Sequence, residues 1–155
     1  MNFYIVTLFS MLRKIDHINI VVKNLEETKK FFLALGFAVQ REGKLEGKWI
    51  DTVTGLKNVK AEYIGMSLPG TETILELLKF TNPECLTTRD TDVINKIGFR
   101  HMAFAVDDIE KVVAGLKKTG VTFLSDVQSY KETNKKLCYF KGPEGILLEL
   151  AEYGK

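Results

Sequence analysis

Two histidines and two glutamates carry the strongest chemical signal in this 155-residue chain. His17 and His101 are the only histidines, and each opens a similar stretch, HINIVVKNLE in one case and HMAFAVDDIE in the other. Both stretches run through a helical pattern to a glycine, Gly36 and Gly120. The spacing of 84 residues (101 − 17 and 120 − 36) holds without a gap. The sequence therefore contains a duplicated module.

Each copy ends in an apolar strand that contains one glutamate, Glu76 in ILEL and Glu149 in LLEL. An unpaired carboxylate is costly to bury in such a strand. Two imidazoles and two carboxylates suit a borderline divalent ion such as zinc, nickel or cobalt. We predict one metal shared between the two halves, with His17, Glu76, His101 and Glu149 as its ligands. For any one of them alone, an ordinary core histidine or surface glutamate is the favoured interpretation. The occurrence of all four in two equivalent pairs favours the metal site instead.

The elements that would position these side chains follow the same doubled pattern. Asn24 and Asp108 are predicted helix N-caps, and the glycines that end the repeated stretches are predicted stops. Strand alternation puts His17 and Asn19 on one face, opposite the apolar residues that would pack against the helices. The predicted strands cover 15–22, 37–41, 60–68 and 73–80, then the stretch from His101, 121–126, 136–140 and 146–153. Each half is thus β-α-β-β-β, and the fold class is α+β.

The predicted layout is one domain with four segments. These are an N-terminal extension at 1–13, a first module at 14–80, a link at 81–97 and a second module at 98–155. The segment 42–59 breaks the symmetry, since it is longer than its counterpart, rich in glycine and contains Trp49. Two interpretations of this segment stay open, a lid over a ligand and a plain surface loop.

Composition narrows the function classes. A net charge of +2 with scattered lysines does not suggest nucleic-acid binding. The two cysteines stand at unrelated positions, which is more typical of free thiols. The apolar residues 1–10 are far short of a bilayer span and lack signal-peptide features. We therefore expect a cytoplasmic protein without a membrane segment.

With these motifs the chain resembles the vicinal oxygen chelate superfamily over residues 14–153. The resemblance is carried by DHINIVV, by NLEETKKFF ending in LGF, by HMAFAVDDI and by GPEGILLEL. It implies two paired βαβββ modules whose sheets curl around a metal, usually in a homodimer. The family's ligand positions fall on the two histidines and two glutamates named above.

Within this resemblance, Glu76 separates the possible activities. A fourth protein ligand there argues against ring-cleaving dioxygenases, and a complete ligand set argues against bleomycin-resistance proteins. Glyoxalase I carries glutamate at this position, whereas methylmalonyl-CoA epimerase usually carries glutamine. The resemblance thus implies a glyoxalase I-like lyase or isomerase that works through an enediolate, with Glu149 or Glu76 as general base. Its substrate would be a thiol adduct or an acyl thioester.

Two alternatives stay open at this point. The first is an enzyme like methylmalonyl-CoA epimerase, in which Glu62 lies near the place of an additional acid/base glutamate. A surface role for Glu62 is favoured over that one. The second is a non-enzymatic dimer that binds a drug or metabolite in a pocket lined by Trp49 and phenylalanines.

Overall fold

Each half of the chain forms its own mixed β-sheet in the computed structural model, which describes residues 13–86, 93–95 and 97–154. Contacts divide the chain into two units, the first ending at Cys85 and the second beginning at Leu86. The predicted extension 1–13 lies outside the described residues apart from Arg13, and so does part of the predicted link. No helix in the described part is long and apolar enough to cross a membrane.

Unit 1 is a four-stranded sheet in the order β1-β4-β3-β2. The first and last strands pair in parallel, and the other pairs are antiparallel. Its elements are β1 (His17–Val21), α1 (Leu25–Ala34), β2 (Ala38–Glu46), α2 (Lys48–Thr54), β3 (Lys60–Ser67) and β4 (Ile74–Asn82).

Unit 2 repeats this topology in the order β5-β9-β8-β6, again with its first and last strands parallel. Its elements are β5 (His101–Ala105), α3 (Ile109–Lys118), β6 (Thr122–Phe123), β7 (Gln128–Tyr130), β8 (Lys135–Lys141) and β9 (Leu147–Tyr153). Both β6 and β7 pair with β8. The strand predicted at 121–126 is therefore only the two residues of β6, and β7 lies beyond its predicted end. The predicted α+β class is confirmed.

Local signals in the sequence set the helix ends. The side chains of Asn24 and Asp108 each accept a hydrogen bond from the backbone N–H three residues later, at 3.1 Å and 3.0 Å. Such a bond satisfies one of the N–H groups that a helix start leaves without a partner. Gly36 and Gly120 follow the helices with φ of +93° and +83°, which a residue with a Cβ rarely adopts. The predicted caps and stops are confirmed.

Each long helix packs against its sheet through a short apolar stripe. Helix α1 contacts β3 and β4, and α3 contacts β9. Thr28 and Phe32 are fully buried on α1, and Ile109 is fully buried on α3. Leu35, at the C-cap of α1, is only partly buried.

The segment 42–59 is not a plain loop, because it forms the end of a strand and a helix. Strand β2 runs on to Glu46, beyond the predicted end at 41, and α2 follows directly. Ile50 of α2 packs into a buried cluster with Val59, Ala61 and Leu78. Trp49 is 57% exposed on the same helix, so the side chain expected to line a pocket faces solvent instead.

The predicted link at 81–97 begins too early. Strand β4 continues through Thr81 and Asn82, where the predicted strand stopped at 80. Asn82 still pairs with β3, where it lies opposite Lys60. The first module therefore extends into the segment that composition alone marked as a polar connection.

Replacement of Phe32 by alanine tests the core of unit 1. Phe32 has no exposed surface, so the change leaves a cavity and should lower the free energy of unfolding by about 3–5 kcal/mol. The neighbouring Leu33 is 43% exposed, and Leu33→Ala should cost less than about 1 kcal/mol. Urea unfolding of both variants measures the difference. Equal losses would show that α1 does not bury the face described here.

Replacement of Glu152 by glutamine tests how unit 2 holds its helix. The Glu152 carboxylate accepts a hydrogen bond from the N–H of Ile109 at 2.7 Å and one from Lys136 Nζ at 3.3 Å. The bond from Ile109, followed by that from Lys136, lowers the pKa of Glu152 below its usual value of 4.5. A depressed pKa stabilises the fold above the unfolded pKa, and this contribution is lost as the pH falls through the folded pKa.

Glu152→Gln should therefore lower the free energy of unfolding most above about pH 5, with a deficit that shrinks toward pH 3. Glu84→Gln changes an exposed glutamate and serves as the control. Urea unfolding at a series of pH values measures both. A Glu152→Gln deficit that stays constant with pH would contradict the assignment.

Candidate metal site

The predicted ligands lie on equivalent faces of the two sheets. In unit 1, Asn19 lies beside Glu76 across the parallel pair β1–β4, with His17 two residues earlier on the same face. In unit 2, Ala103 lies beside Glu149 across β5–β9, and His101 is two residues earlier. The repeat thus extends from the sequence to the strand register.

Unit 2 brings its histidine and glutamate into direct contact. His101 Nε2 lies 3.1 Å from Glu149 Oε2. The other carboxylate oxygen, Oε1, accepts a hydrogen bond from Lys135 Nζ at 2.7 Å. The Glu149 side chain is only 5% exposed, so these partners surround a buried charge. The ring of Tyr139 packs edge-on against the imidazole at a centroid distance of 5.0 Å.

The charge of Glu149 shapes the protonation of its neighbours. The hydrogen bond to Glu149 raises the pKa of Lys135 above its usual value, so the ammonium stays charged at neutral pH. Burial, followed by the nearby Glu149 charge, raises the pKa of Tyr139. The phenol therefore stays neutral, and Lys135 is the fixed positive charge beside this carboxylate.

Unit 1 holds its pair through different partners. Asp16 Oδ2 accepts a hydrogen bond from His17 Nδ1 at 2.9 Å, and this bond lowers the pKa of Asp16. A histidine that donates from Nδ1 keeps Nε2 available as a metal ligand. Glu76 Oε1 accepts a hydrogen bond from Asn19 Nδ2 at 3.0 Å, so the described contact of Glu76 is with Asn19 rather than with His17.

A glycine opens space above Glu76 for an arginine. Gly65 pairs with Glu76 on one side and with Arg41 on the other. A Cβ at Gly65 would lie 3.0 Å from Arg41 Cγ, which shows that the arginine side chain crosses this position. Arg41 Nη2 reaches to 3.9 Å from Glu76 Oε2, at the outer limit of an ion pair, and the Arg41 side chain is 53% exposed.

In each copy, the glutamate contacts a side chain that the other copy lacks at the equivalent position. The first copy uses Asn19, and the equivalent position in the second copy is Ala103. The second copy uses Lys135, which lies opposite Tyr153, four residues after Glu149. In the first copy, the residue four positions after Glu76 is Phe80, and Ala61 lies opposite it. Ala61 therefore occupies the position equivalent to Lys135. Helix α2 covers Ala61 with the apolar side chain of Ile50.

Sequence reasoning found the four candidate ligands but missed most of their partners. Lys135 was overlooked because the predicted strand began one residue later, at 136. Alternation along a strand that includes 135 would have placed Lys135 on the face of Tyr139. Among the residues that the structure describes, no group of three or more His, Cys, Asp or Glu side chains could hold a metal ion. The predicted four-ligand set draws on both units and stays a prediction.

Glu62 lies on the other face of its sheet. Glu62 lies opposite Lys79 in β4, whereas Gly65 lies opposite Glu76. Glu62 and Gly65 are an odd number of residues apart on β3, so Glu62 faces the side of the sheet opposite to Glu76. It lines a cavity of about 310 Å³ together with Glu26 and Glu42. Glu62 is half-buried there, and its favoured surface role stays a prediction.

A match over most of the chain decides the family. Residues 14–150 match the Glyoxalase/Bleomycin resistance protein/Dioxygenase superfamily. The chain belongs to this superfamily. The predicted vicinal oxygen chelate resemblance is confirmed, and the superfamily commonly uses divalent metals.

Individual proteins resemble the chain over nearly its whole length. A glyoxalase family protein from Bacillus cereus is 33% identical, with a TM-score of 0.85 over 94% of this chain and 96% of its own. YaeR of Escherichia coli (strain K12), a protein without a characterised function, is 30% identical over 142 residues, which is 91% of this chain and 97% of YaeR. A glyoxalase family protein from Enterococcus faecalis is 28% identical, with a TM-score of 0.66 over 91% and 98%.

Proposed function

We propose that this superfamily member is a metal-dependent lyase or isomerase of the glyoxalase I type. His17, Glu76, His101 and Glu149 would hold a divalent ion, with zinc, nickel and cobalt as candidates. The observation that carries the proposal is the occurrence, in each unit, of one imidazole and one carboxylate on the same sheet face at equivalent register. Two nitrogen and two oxygen donors are a ligand set that these ions accept.

The contacts of His17 and of His101 support the proposal. His17 is held by Asp16 at Nδ1, which is the outer contact that orients many metal-bound histidines. His101 Nε2 and Glu149 Oε2 point at each other, 3.1 Å apart, so a nitrogen and an oxygen donor converge in unit 2. When bound, a divalent ion supplies Lewis acidity that polarises a substrate carbonyl.

The residues of the chain would supply proton transfer. A carboxylate beside an acidic C–H can accept the proton while the electron pair moves onto the neighbouring carbonyl oxygen. Returning the proton to the adjacent carbon completes the isomerisation of a methylglyoxal–thiol hemithioacetal, our first choice of substrate. Returning it to the other face of the same carbon would give the epimerase reaction on an acyl thioester. The position of Glu62 on the far face leaves that alternative without its additional glutamate.

Metal binding is the first test of the proposal. Purified protein should bind about one equivalent of Zn²⁺, Ni²⁺ or Co²⁺ per chain, as measured by metal analysis after dialysis. His17→Ala and His101→Ala should each weaken binding strongly, because each removes one donor. Glu76→Gln should also weaken binding, because it replaces a carboxylate donor. Glu62→Gln is its matched control, since both glutamates lie in the same sheet on opposite faces. Equal metal affinity of His17→Ala and the unchanged protein would refute the ligand set.

The reaction is the second test. One metal-loaded preparation should consume the hemithioacetal, followed by its absorbance, and should lose this activity with EDTA. The same preparation is then assayed for deuterium exchange into methylmalonyl-CoA. Exchange without hemithioacetal turnover would replace the glyoxalase assignment with the epimerase. A ligand-induced thermal shift that survives chelation, with no turnover of either substrate, would instead favour the non-enzymatic binding dimer.

A further inference from the structure

Arg41 is held on the sheet of unit 1 without using its hydrogen-bond donors. Its side chain is 53% exposed, and its Nη2 lies 3.9 Å from Glu76 Oε2, which is too long for a hydrogen bond. Among the residues that the structure describes, the guanidinium donates no hydrogen bond. Its planar fork of N–H groups is therefore open to a ligand.

A β-bulge decides which side chain of β2 lies on this face of the sheet. Val39 lies opposite Met66. The preceding residue of β3, Gly65, lies opposite Arg41, so Gln40 is an extra residue in the ladder. Because side chains alternate along a strand, the bulge turns Arg41 rather than Gln40 toward the face that carries the candidate ligands. Bulges that redirect a side chain in this way are common beside functional sites.

Two glycines of unit 1 make room for Arg41 and for the aromatic ring next to it. A Cβ at Gly65 would lie 3.0 Å from Arg41 Cγ and 3.2 Å from its Nε. A Cβ at Gly43 would lie 2.8 Å from the ring of Tyr63, which is closer than carbon atoms pack. The guanidinium carbon of Arg41 lies over that ring, 6.0 Å from its centroid, where a cation is attracted to the ring face. We call Gly43, Gly65 and Tyr63 the arginine platform.

The charges around Arg41 favour one kind of ligand. A guanidinium binds carboxylates and phosphates through the same paired hydrogen bonds. Glu76 and Asp16 both lie close enough to Arg41 to interact with its charge. These carboxylates repel a phosphate group, with its charge of about −1.5 to −2 at pH 7, more strongly than a singly charged carboxylate. The surroundings therefore favour a carboxylate.

We propose that Arg41, oriented by the arginine platform, binds a carboxylate group of the small molecule that this protein recognises. An arginine that only balanced the charge of Glu76 would be expected to hydrogen-bond it, whereas Glu76 takes its hydrogen bond from Asn19. A guanidinium that is already oriented loses less conformational freedom when a ligand binds. The inference goes beyond the proposed function, because it concerns unit 1 alone and requires neither a metal nor turnover.

Binding of benzoate to the protein in EDTA is the first measurement. Benzoate is added at constant ionic strength, and NMR follows the backbone amide of Gly65 and the Nε–H of Arg41. Both signals should shift and saturate with benzoate, whereas benzamide, which has nearly the same shape and no charge, should shift neither. No saturable shift, equal shifts with benzamide, or benzoate shifts that spare both signals would overturn the proposal.

Replacement of Arg41 separates recognition by the guanidinium from attraction by net charge. Arg41→Gln should weaken benzoate binding by at least about tenfold, because hydrogen bonds to a charged group are lost. Arg41→Lys keeps the charge without the planar fork and should recover only part of the affinity. Lys44→Gln is the matched control, because Lys44 lies on the same strand opposite Glu62, on the other face. Equal losses in Arg41→Gln and Lys44→Gln, or full affinity in Arg41→Lys, would overturn the role of the guanidinium.

Gly65→Ala tests the arginine platform while keeping the charge of Arg41. The added methyl group would lie against Arg41 Cγ, so benzoate binding should weaken while the circular dichroism spectrum stays unchanged. Gly115→Ala in α3 adds the same methyl group where nothing lies within 4 Å, and it should leave binding unchanged. Equal benzoate affinity in the two variants would contradict the orientation of Arg41 by the platform.

The charge argument is tested with phenyl phosphate and with Glu76→Gln. The unchanged protein should bind benzoate more tightly than phenyl phosphate, because the nearby carboxylates repel the second negative charge. Glu76→Gln removes one of these charges and should tighten benzoate binding by about two- to fivefold. Tighter binding of phenyl phosphate than of benzoate would overturn the choice of a carboxylate. Weaker benzoate binding in Glu76→Gln would show that Glu76, rather than the platform, orients Arg41.

Discussion

The candidate site depends on the parallel pairing of the first and last strands of each unit. Parallel strands share a direction, so a histidine at the start of one and a glutamate two residues further along the other reach the same face. The pairs His17–Ile74 and His101–Leu147 fix this register in the two units. A shift by one residue would move each glutamate to the apolar face, where its charge would be stranded.

The duplication has kept this register while changing what surrounds it. The second unit gives its glutamate a lysine, and the first unit gives its glutamate an amide. The extra helix α2 occupies the end of the first sheet where the lysine would stand, and buries Ala61 there. Two carboxylates that began as copies thus sit in different electrostatic surroundings.

Much of the fold could be predicted because its signals are local. Asn24 and Asp108 cap helices through their own side chains, and the alternation around His17 and His101 assigns faces without any knowledge of the neighbouring strands. The errors fall where a strand or helix depends on distant contacts. Segment 42–59 becomes a strand and a helix because Ile50 packs into a buried cluster. The strand predicted at 121–126 is shortened to Thr122–Phe123, the two residues of that range that pair with β8.

The sequence by itself determined the repeat, the α+β class and the four candidate ligands, because these follow from residue type and spacing. It indicated the superfamily through the resemblance of its motifs. Only the tertiary structure decided what each ligand touches. Lys135 and Glu149 are 14 residues apart in the sequence, and Asn19 and Glu76 are 57 residues apart. Such contacts follow from cross-strand register, which local patterns do not specify. The same register, together with side-chain alternation along the strands, places Glu62 on the face opposite to Glu76 and places Lys135 beside Glu149.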